Sequence, residues 1–374
     1  MVFLLIRALS VGGAERQVVE LANGLGRRGI AVGIVTLYDN GPLEQAVDGR
    51  HVRRFSLAKR GRWDMALPVL RLVRLIYRER PAILYAFLPA QTALAGFLYP
   101  VLPPCRLVFG LRSSLDYRRT DWLQRTVYAL EARLARRAAL VIANSEAGRQ
   151  SAIARGIAPG RLVVIGNLID TDHFAPDPER RGRQRAAWGI AATVPLIGMA
   201  ARFDPMKGHG TFLQAASLLH RRLPAARFVL IGSGPADHAA ALAASADRLG
   251  LGASLIWAGE CRDMVAAYVA LDLATLASDE GEGFPNAVAE AMACGVPVVA
   301  TDTGDTAHLI GATGLVVRPR DPAALAEAWA ALLAADPARL GAEARQRIAR
   351  EFDLGAGLDH NLRTLTALVD SPSA

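Results

Sequence analysis

Short apolar runs recur along this chain, separated by stretches with helical patterning, and this alternation limits the possible folds more than any other feature. The runs fall at 3–7, 31–37, 83–87, 106–109, 140–143 and 163–165, and the scheme repeats at 196–200, 227–231, 254–257, 273–276, 298–300 and 315–317. Strands that are apolar throughout are buried on both faces, as happens when helices cover both sides of a parallel sheet. The pattern predicts an α/β chain of βαβ units and excludes all-α and all-β architectures. A chain of 374 residues, 52% of them hydrophobic, is too long for one ordinary core, so two domains are expected. The stretch 170–189 is rich in Asp, Pro and Arg with little apolar periodicity and reads as the linker. The expected organisation is two Rossmann-like, doubly wound domains, 1–168 and 169–351, facing across a cleft, because ligands of such sheets bind beyond the carboxyl ends of the strands. Ile348, Phe352, Leu358, Leu362, Leu365 and Leu368 are helically spaced over 341–369. A helix at about 352–374 either packs back on the first domain or caps the second.

Composition narrows the setting. Cys105, Cys261 and Cys294 are odd in number, widely spaced and form no C-x-x-C pair, which argues against a disulfide framework or a thiolate zinc site and fits a reducing cytoplasm. The opening MVFLLIR is too short for a signal peptide and reads as a first strand. The stretch 82–105 has no charged residue, but Gln91 and Thr92 interrupt it and Pro89, Pro100, Pro103 and Pro104 break it, so a buried strand and helix explain it better than a membrane span. Residues 1–165 carry 25 Lys+Arg against 11 Asp+Glu, leaving 18 against 24 for the remainder. The halves therefore meet different partners.

Three loops carry chemistry. Gly12 and Gly13 follow the first strand and open a helix, where glycine lets backbone N–H groups approach a phosphate; a plain βα turn uses glycine in the same way. In ARFDPMKGHG, Arg202 and Lys207 occupy the loop between the strand at 196–200 and a helix starting near His209, where two cations can grip a diphosphate and stabilise its departure. In SDEGEGFPNAVAEAMACGVPVVAT, Glu282 stands in a Gly-rich loop, Pro285 suits the first turn of a helix, and Glu290 lies within that helix. The rise over the intervening turns is about 9 Å, the separation of a hexose from a ribose across a diphosphate. Backbone N–H groups of Phe284, Asn286 and Ala287 at the helix start suit hydroxyl or phosphate oxygens.

The ordered set GGAER, R-x4-K-G, E-G-F-P-N-A-V-A-E and G-V-P-V-V-A-T-D-x-G resembles the retaining glycosyltransferases of the GT-B fold with the Glu-x7-Glu motif, and the likeness runs over nearly the whole chain. The resemblance implies a donor UDP- or GDP-sugar whose diphosphate is bound by Arg202, Lys207 and the Gly13 amide. It also implies Glu282 on the donor sugar, Glu290 on the ribose, and Gly304 closing the diphosphate side, with Gly12, Gly283, Phe284 and Asn286 lining the site. No metal cofactor is implied. Departures are concentrated in the first half. Where the family often has V-H-x-H, with the second His beside the reacting sugar, this chain has Tyr85 and Phe87. GECRDM places Cys261 where Arg is common, beside Arg262, and GNLIDTDHF has Gly166 and Leu168 in place of the usual Pro and Gly.

Asp170 and Asp172 form a D-x-D, read as a turn because a metal would be redundant beside two cations. The basic stretch 51–80 sets Leu67, Leu70, Val73 and Ile76 at helical spacing, with Trp63 and Tyr77 for a headgroup region. It is either a solvated helix packed on its sheet or an anionic membrane surface contact; no nucleic-acid module accompanies the charge. The expected partners are a nucleotide-sugar donor and a glycan or lipid-linked acceptor, with the protein in the cytoplasm or peripheral on the inner face of the membrane. A nucleotide-sugar epimerase, a phosphorylase, or a non-catalytic sugar-nucleotide-binding partner in an assembly complex are the rival readings.

Overall fold

The structure is a computed structural model that describes residues 1–10, 12–39, 41–61, 64–112 and 122–370. It divides into two compact units, Met1–Leu168 with Gly355–Ala374, and Ile169–Leu354. Among the described residues the first unit contains the parallel strands β1 (Val2–Ile6), β2 (Val32–Thr36), β3 (Val52–Ser56), β4 (Ile83–Phe87), β5 (Arg106–Leu111), β6 (Leu140–Ala143) and β7 (Leu162–Val164) in the order β3-β2-β1-β4-β5-β6-β7. Val2 pairs with Val32 on one side and Ile83 on the other, so the order reverses at β1. Helices α1 (Gly13–Arg27), α2 (Ala66–Glu79), α3 (Pro89–Leu98), α4 (Trp122–Leu134) and α5 (Glu146–Ala154) cover the sheet, and β1, β2 and β4 are buried at every residue.

β3 has no counterpart among the apolar runs in the sequence. It is an edge strand, where Arg53 and Arg54 face out and pair with Glu79 and Glu44 at 2.7 Å, so polar side chains occupy positions that an interior strand fills with Val or Ile. The polar pair in the uncharged stretch is likewise explained. Gln91 and Thr92 are buried in α3, and Thr92 Oγ1 donates to Glu131 at 2.7 Å. No described helix is long and apolar enough to cross a membrane.

The second unit contains β8 (Leu196–Ala200), β9 (Arg227–Ile231), β10 (Leu255–Gly259), β11 (Leu273–Leu276), β12 (Val298–Thr301) and β13 (Leu315–Val317), parallel, in the order β10-β9-β8-β11-β12-β13. Its helices are α6 (Pro178–Ala187), α7 (His209–Arg222), α8 (Ala236–Arg248), α9 (Met264–Val269), α10 (Asn286–Ala293), α11 (Thr306–Ile310), α12 (Pro322–Ala334) and α13 (Pro337–Glu351). Strand alternation sends Ile197, Met199, Phe228 and Leu230 to a core with Phe212 and Trp329, and Leu196, Val229 and Ile231 to a core with Ala289 and Met292 on the opposite face.

The stretch 170–189, expected to be linker, contains α6. Asp177 caps it, and arginine rather than an apolar stripe holds it to the unit. Arg181 donates to the Val269 and Leu271 carbonyls at 2.8 and 2.7 Å, Arg185 to the Ala270 carbonyl at 2.8 Å, and both pair with Asp272. The 341–369 stretch is likewise two helices, α13 and α14 (Leu354–Asp370). Ile348 sits in the second unit's core, whereas Leu358 packs where Gly24 leaves room for it, and Arg28 pairs with Asp359 at 2.9 Å in the first unit.

Candidate active site

The second unit gathers most of the candidate residues at the carboxyl ends of β8, β11 and β12. Beyond β8, Asp204 accepts from Met206 N at 3.0 Å and starts the tight turn Pro205–Lys207. Gly208 follows at φ +68°, and a Cβ there would lie 1.8 Å from the Ala277 carbonyl oxygen. Only glycine fits, so the turn seats against the end of β11 and directs Lys207 inward. Lys207 Nζ lies 2.6 Å from Glu282 Oε1.

Glu282 is buried in the loop between β11 and α10. Its Oε1 also accepts from Ser278 Oγ at 2.5 Å, and Thr301 Oγ1 donates to the Ser278 carbonyl at 2.6 Å. Gly304, at φ +60°, packs on the same loop, where a Cβ would approach the Glu282 and Gly283 carbonyl oxygens to 2.3 and 2.6 Å. The Asp305 amide donates to the Gly283 carbonyl at 3.0 Å. Pro285 is the N-cap of α10 rather than part of its first turn, since its ψ of 94° is non-helical. Asn286 and Ala287 therefore form the first turn of α10. Phe284 is buried against Phe352, ring centroids 5.6 Å apart. Glu290, one turn into α10, is buried and accepts from Tyr268 Oη of α9 at 3.0 Å. Burial and then the Glu290 charge push the neighbouring Cys294 thiol up to about 12.

Lys207, Glu282, Gly283 and Gly304 thus form one constellation, with Phe284, Asn286 and Glu290 continuing it along α10. Arg202 stands apart from it, with a side chain 74% exposed and 3.7 Å from the Asp204 carboxylate. Gly12 and Gly13 lie in the first unit, where Gly12 caps α1 with extended backbone and Gly13 is exposed. A Cβ on Gly12 would meet Glu15 Oε2 at 2.2 Å. Ser278, Tyr268 and His209 are additional residues of the second-unit site. His209 opens α7 two residues after Lys207, packs edge-on against Phe203 at 5.0 Å, and has no well-formed hydrogen bond to either ring nitrogen among the described residues. Burial, then the nearby His238, lowers its pKa to about 4, so it is neutral near pH 7. The sequence gives no spacing signal for these three, because Ser278 and Tyr268 act through carboxylates reached only in the fold.

Elsewhere, Asp170 Oδ1 accepts from the Asp172 and His173 amides at 3.1 and 2.9 Å, a local turn. No group of three or more His, Cys, Asp or Glu able to hold a metal occurs among the described residues. Past β10, Glu260 accepts from Ser233, Cys261 is half-buried, Arg262 is exposed, and Asp263 caps α9.

Family models describe the same two regions. "Glycosyl transferases group 1" matches residues 194–335, and "Glycosyltransferase Family 4" matches 11–173. The lipopolysaccharide core biosynthesis mannosyltransferase LpsB of Rhizobium meliloti is 30% identical over 273 residues, 71% of this chain and 72% of that protein. The chain belongs to the GT-B glycosyltransferase family. A GDP-mannose-dependent alpha-(1-6)-phosphatidylinositol monomannoside mannosyltransferase of Mycolicibacterium smegmatis is 33% identical over 184 residues, 46% of this chain. The matched part spans about half of that relative, 47%, and 45% of the D-inositol 3-phosphate glycosyltransferase of Corynebacterium urealyticum. The crystal structure of Anabaena HepE in complex with UDP-glucose shares this GT-B fold, with TM-score 0.87, 23% identity, and 98% of this chain and 99% of that chain covered.

Proposed function

We propose that this chain transfers a hexose-type sugar from a UDP- or GDP-sugar to an acceptor hydroxyl, with retention at the anomeric carbon. The observation that carries the reading is the Lys207–Glu282 contact, a cation and a carboxylate held at a strand edge beside the start of α10. In the proposed reaction the donor diphosphate takes Lys207, with Arg202 swinging in from solvent, and Glu282 turns to the sugar hydroxyls. Glu290 takes the ribose. The acceptor oxygen bonds to the anomeric carbon on the face from which the diphosphate leaves, the bond to the diphosphate breaks with its electron pair, and the proton of the acceptor hydroxyl passes to the departing phosphate oxygen. Charge on the leaving group is the main barrier, so the two cations and the amides of α10 supply the largest catalytic term, and neither a protein nucleophile nor a metal is required. Lys207→Ala should lower turnover by orders of magnitude while circular dichroism is unchanged; wild-type turnover in that variant would remove the clamp. Product analysis with and without acceptor separates transfer from epimerisation or phosphorolysis.

The proposed acceptor is lipid-linked, or a cell-surface glycan precursor met at an anionic membrane on the cytoplasmic side. The first unit supports this with exposed Leu67 and Leu70 on α2, Phe97 on α3 and Trp122 on α4, among the arginines of a half-chain of net charge +14. The buried stripe of α2 is Pro68, Leu72, Leu75 and Ile76, so of the apolar positions expected there, Leu67 and Leu70 are the outward ones, while Trp63 lies outside the described residues. Salt-sensitive co-sedimentation with anionic but not neutral vesicles is the expected result, and its absence would count against the membrane.

A further inference from the structure

β4 of this chain carries two aromatic rings with a cation on top of them. Tyr85 and Phe87 are both fully buried and stack with centroids 4.2 Å apart. They lie over Gly110 of β5, where an added Cβ would come within 2.8 Å of Phe87 and 2.9 Å of Tyr85. Two residues on, and so on the same face, is Arg112, the first residue beyond the carboxyl end of β5. Its guanidinium carbon sits 5.0 Å from the centroid of the Phe87 ring. Nη1 donates to Asn167 Oδ1 at 3.0 Å, and Nε is cut off from solvent with no acceptor among the described residues. The Tyr85 hydroxyl is enclosed against the same guanidinium, its polar neighbour, without a well-formed hydrogen bond among the described residues. No carboxylate lies within ion-pair distance of Arg112 among the described residues, in contrast to Arg155, which has Glu131, and Arg185, which has Asp272. Leu88, which closes β4 at this edge, is held at φ +72°, in the left-handed region.

A guanidinium in a low-dielectric setting without a counter-ion is costly, and burial pulls the Arg112 pKa below its ordinary value. The sequence nevertheless builds a flat aromatic bed for it and removes the β5 side chain that would block that bed. The planar fork of arginine matches a phosphate or carboxylate two-fold, and stacking on an aromatic face fixes its plane. We propose that Arg112, stacked on Phe87 and flanked by Tyr85 and Asn167, binds a phosphoryl oxyanion carried by the acceptor. The anion supplies the missing counter-charge. The proposal rests on the sugar-transfer reading only for the identity of the molecule bearing the anion.

The test uses the full chain and three probes, inorganic phosphate, geranyl diphosphate and UDP or GDP, read by calorimetry and by the thermal midpoint. Arg112→Met keeps the packing on Phe87 and removes the charge. The expected results are a probe-free midpoint equal to or above wild type, loss of geranyl diphosphate binding, and unchanged nucleotide binding. Arg112→Lys, which keeps the charge without the fork, should weaken geranyl diphosphate binding about ten-fold. Geranyl diphosphate should bind wild type about ten-fold more tightly than inorganic phosphate; equal affinities would assign the site to free phosphate and overturn the acceptor assignment. A lowered probe-free midpoint in the Met variant, with geranyl diphosphate binding retained in the Lys variant, would make Arg112 structural. Loss of nucleotide binding on changing Arg112 would give the anion to the donor and overturn the proposal. Retained nucleotide binding in Lys207→Ala would count against the donor site alone.

Discussion

Replacing Glu131 with leucine takes the counter-ion from Arg155 inside the first unit. Glu131 is fully buried, the Arg155 side chain is 5% exposed, and their atoms meet at 2.6 Å. Tyr128 lies under the guanidinium at 5.0 Å, and Thr92 donates to the other carboxylate oxygen at 2.7 Å. Thr92 keeps the Leu88 and Pro89 carbonyls as acceptors, so the loss falls mainly on Arg155. Breaking a buried pair by removing one partner costs about 3–5 kcal/mol, because the other charge stays desolvated. Domain stabilities run from about 5 to 15 kcal/mol, so the variant should lose at least about a fifth of the stability of this unit. In urea, with an m-value near 2.5 kcal/mol/M, the midpoint of the first unit should fall by about 1.5 M. Hydrogen exchange in peptides covering β4 to β6 reads that unit separately from the second. Combining Glu131→Leu with Arg155→Met removes both charges and should recover all but about 1 kcal/mol. A single variant costing under about 1 kcal/mol, or a double variant as unstable as the single, would refute the reasoning.

Three further perturbations address the second unit. His209 titrates near 4 when folded against 6.5 when free, so the unfolded chain binds more protons between those values; stability should be fully present above pH 6.5 and fall by about 3 kcal/mol as pH drops to 4. His209→Phe should flatten that part of the urea-midpoint curve, and an unchanged slope would contradict the burial argument. Gly304→Ala must place a Cβ 2.3 Å from the Glu282 carbonyl oxygen at φ +60°, so nucleotide-sugar affinity should fall at least ten-fold while Gly49→Ala, with open space around it, leaves calorimetric affinity unchanged. Ser278→Ala removes a 2.5 Å hydrogen bond to Glu282; turnover should fall about ten-fold with KM nearly constant, and a change confined to KM would place Ser278 in ground-state binding instead.

The parallel sheets and the second-unit loops were legible because each has a local signature. β4, β6, β8, β9 and β11 occupy the residues that their apolar runs give, since a strand buried on both faces leaves no room for polar residues, and β13 does so as a short, partly exposed edge strand. Lys207, Glu282 and Gly304 could be named because loops at strand ends combine charge with glycine, although which oxygen meets which nitrogen is decided by packing. The exceptions have the opposite chemistry. β3 and α6 are held by arginine pairs that look like solvated loop in one dimension, and only the fold shows Glu79 and Asp272 waiting for them. Tyr268 and Ser278 were not foreseen because their partners lie across helices or a turn, and the stacking of Arg112 on Phe87 is visible only once its neighbours are known.

Lys207 and Glu282 are proposed to form a nucleotide-sugar site. Thermal-shift titration of the full chain with UDP-glucose, UDP-N-acetylglucosamine and GDP-mannose tests it directly, because a ligand that binds the folded state raises the midpoint with concentration. A saturable rise is expected with at least one of these donors, abolished in Lys207→Ala and reduced in Glu282→Gln. No shift with any nucleotide sugar, or an equal shift in all three proteins, would contradict it.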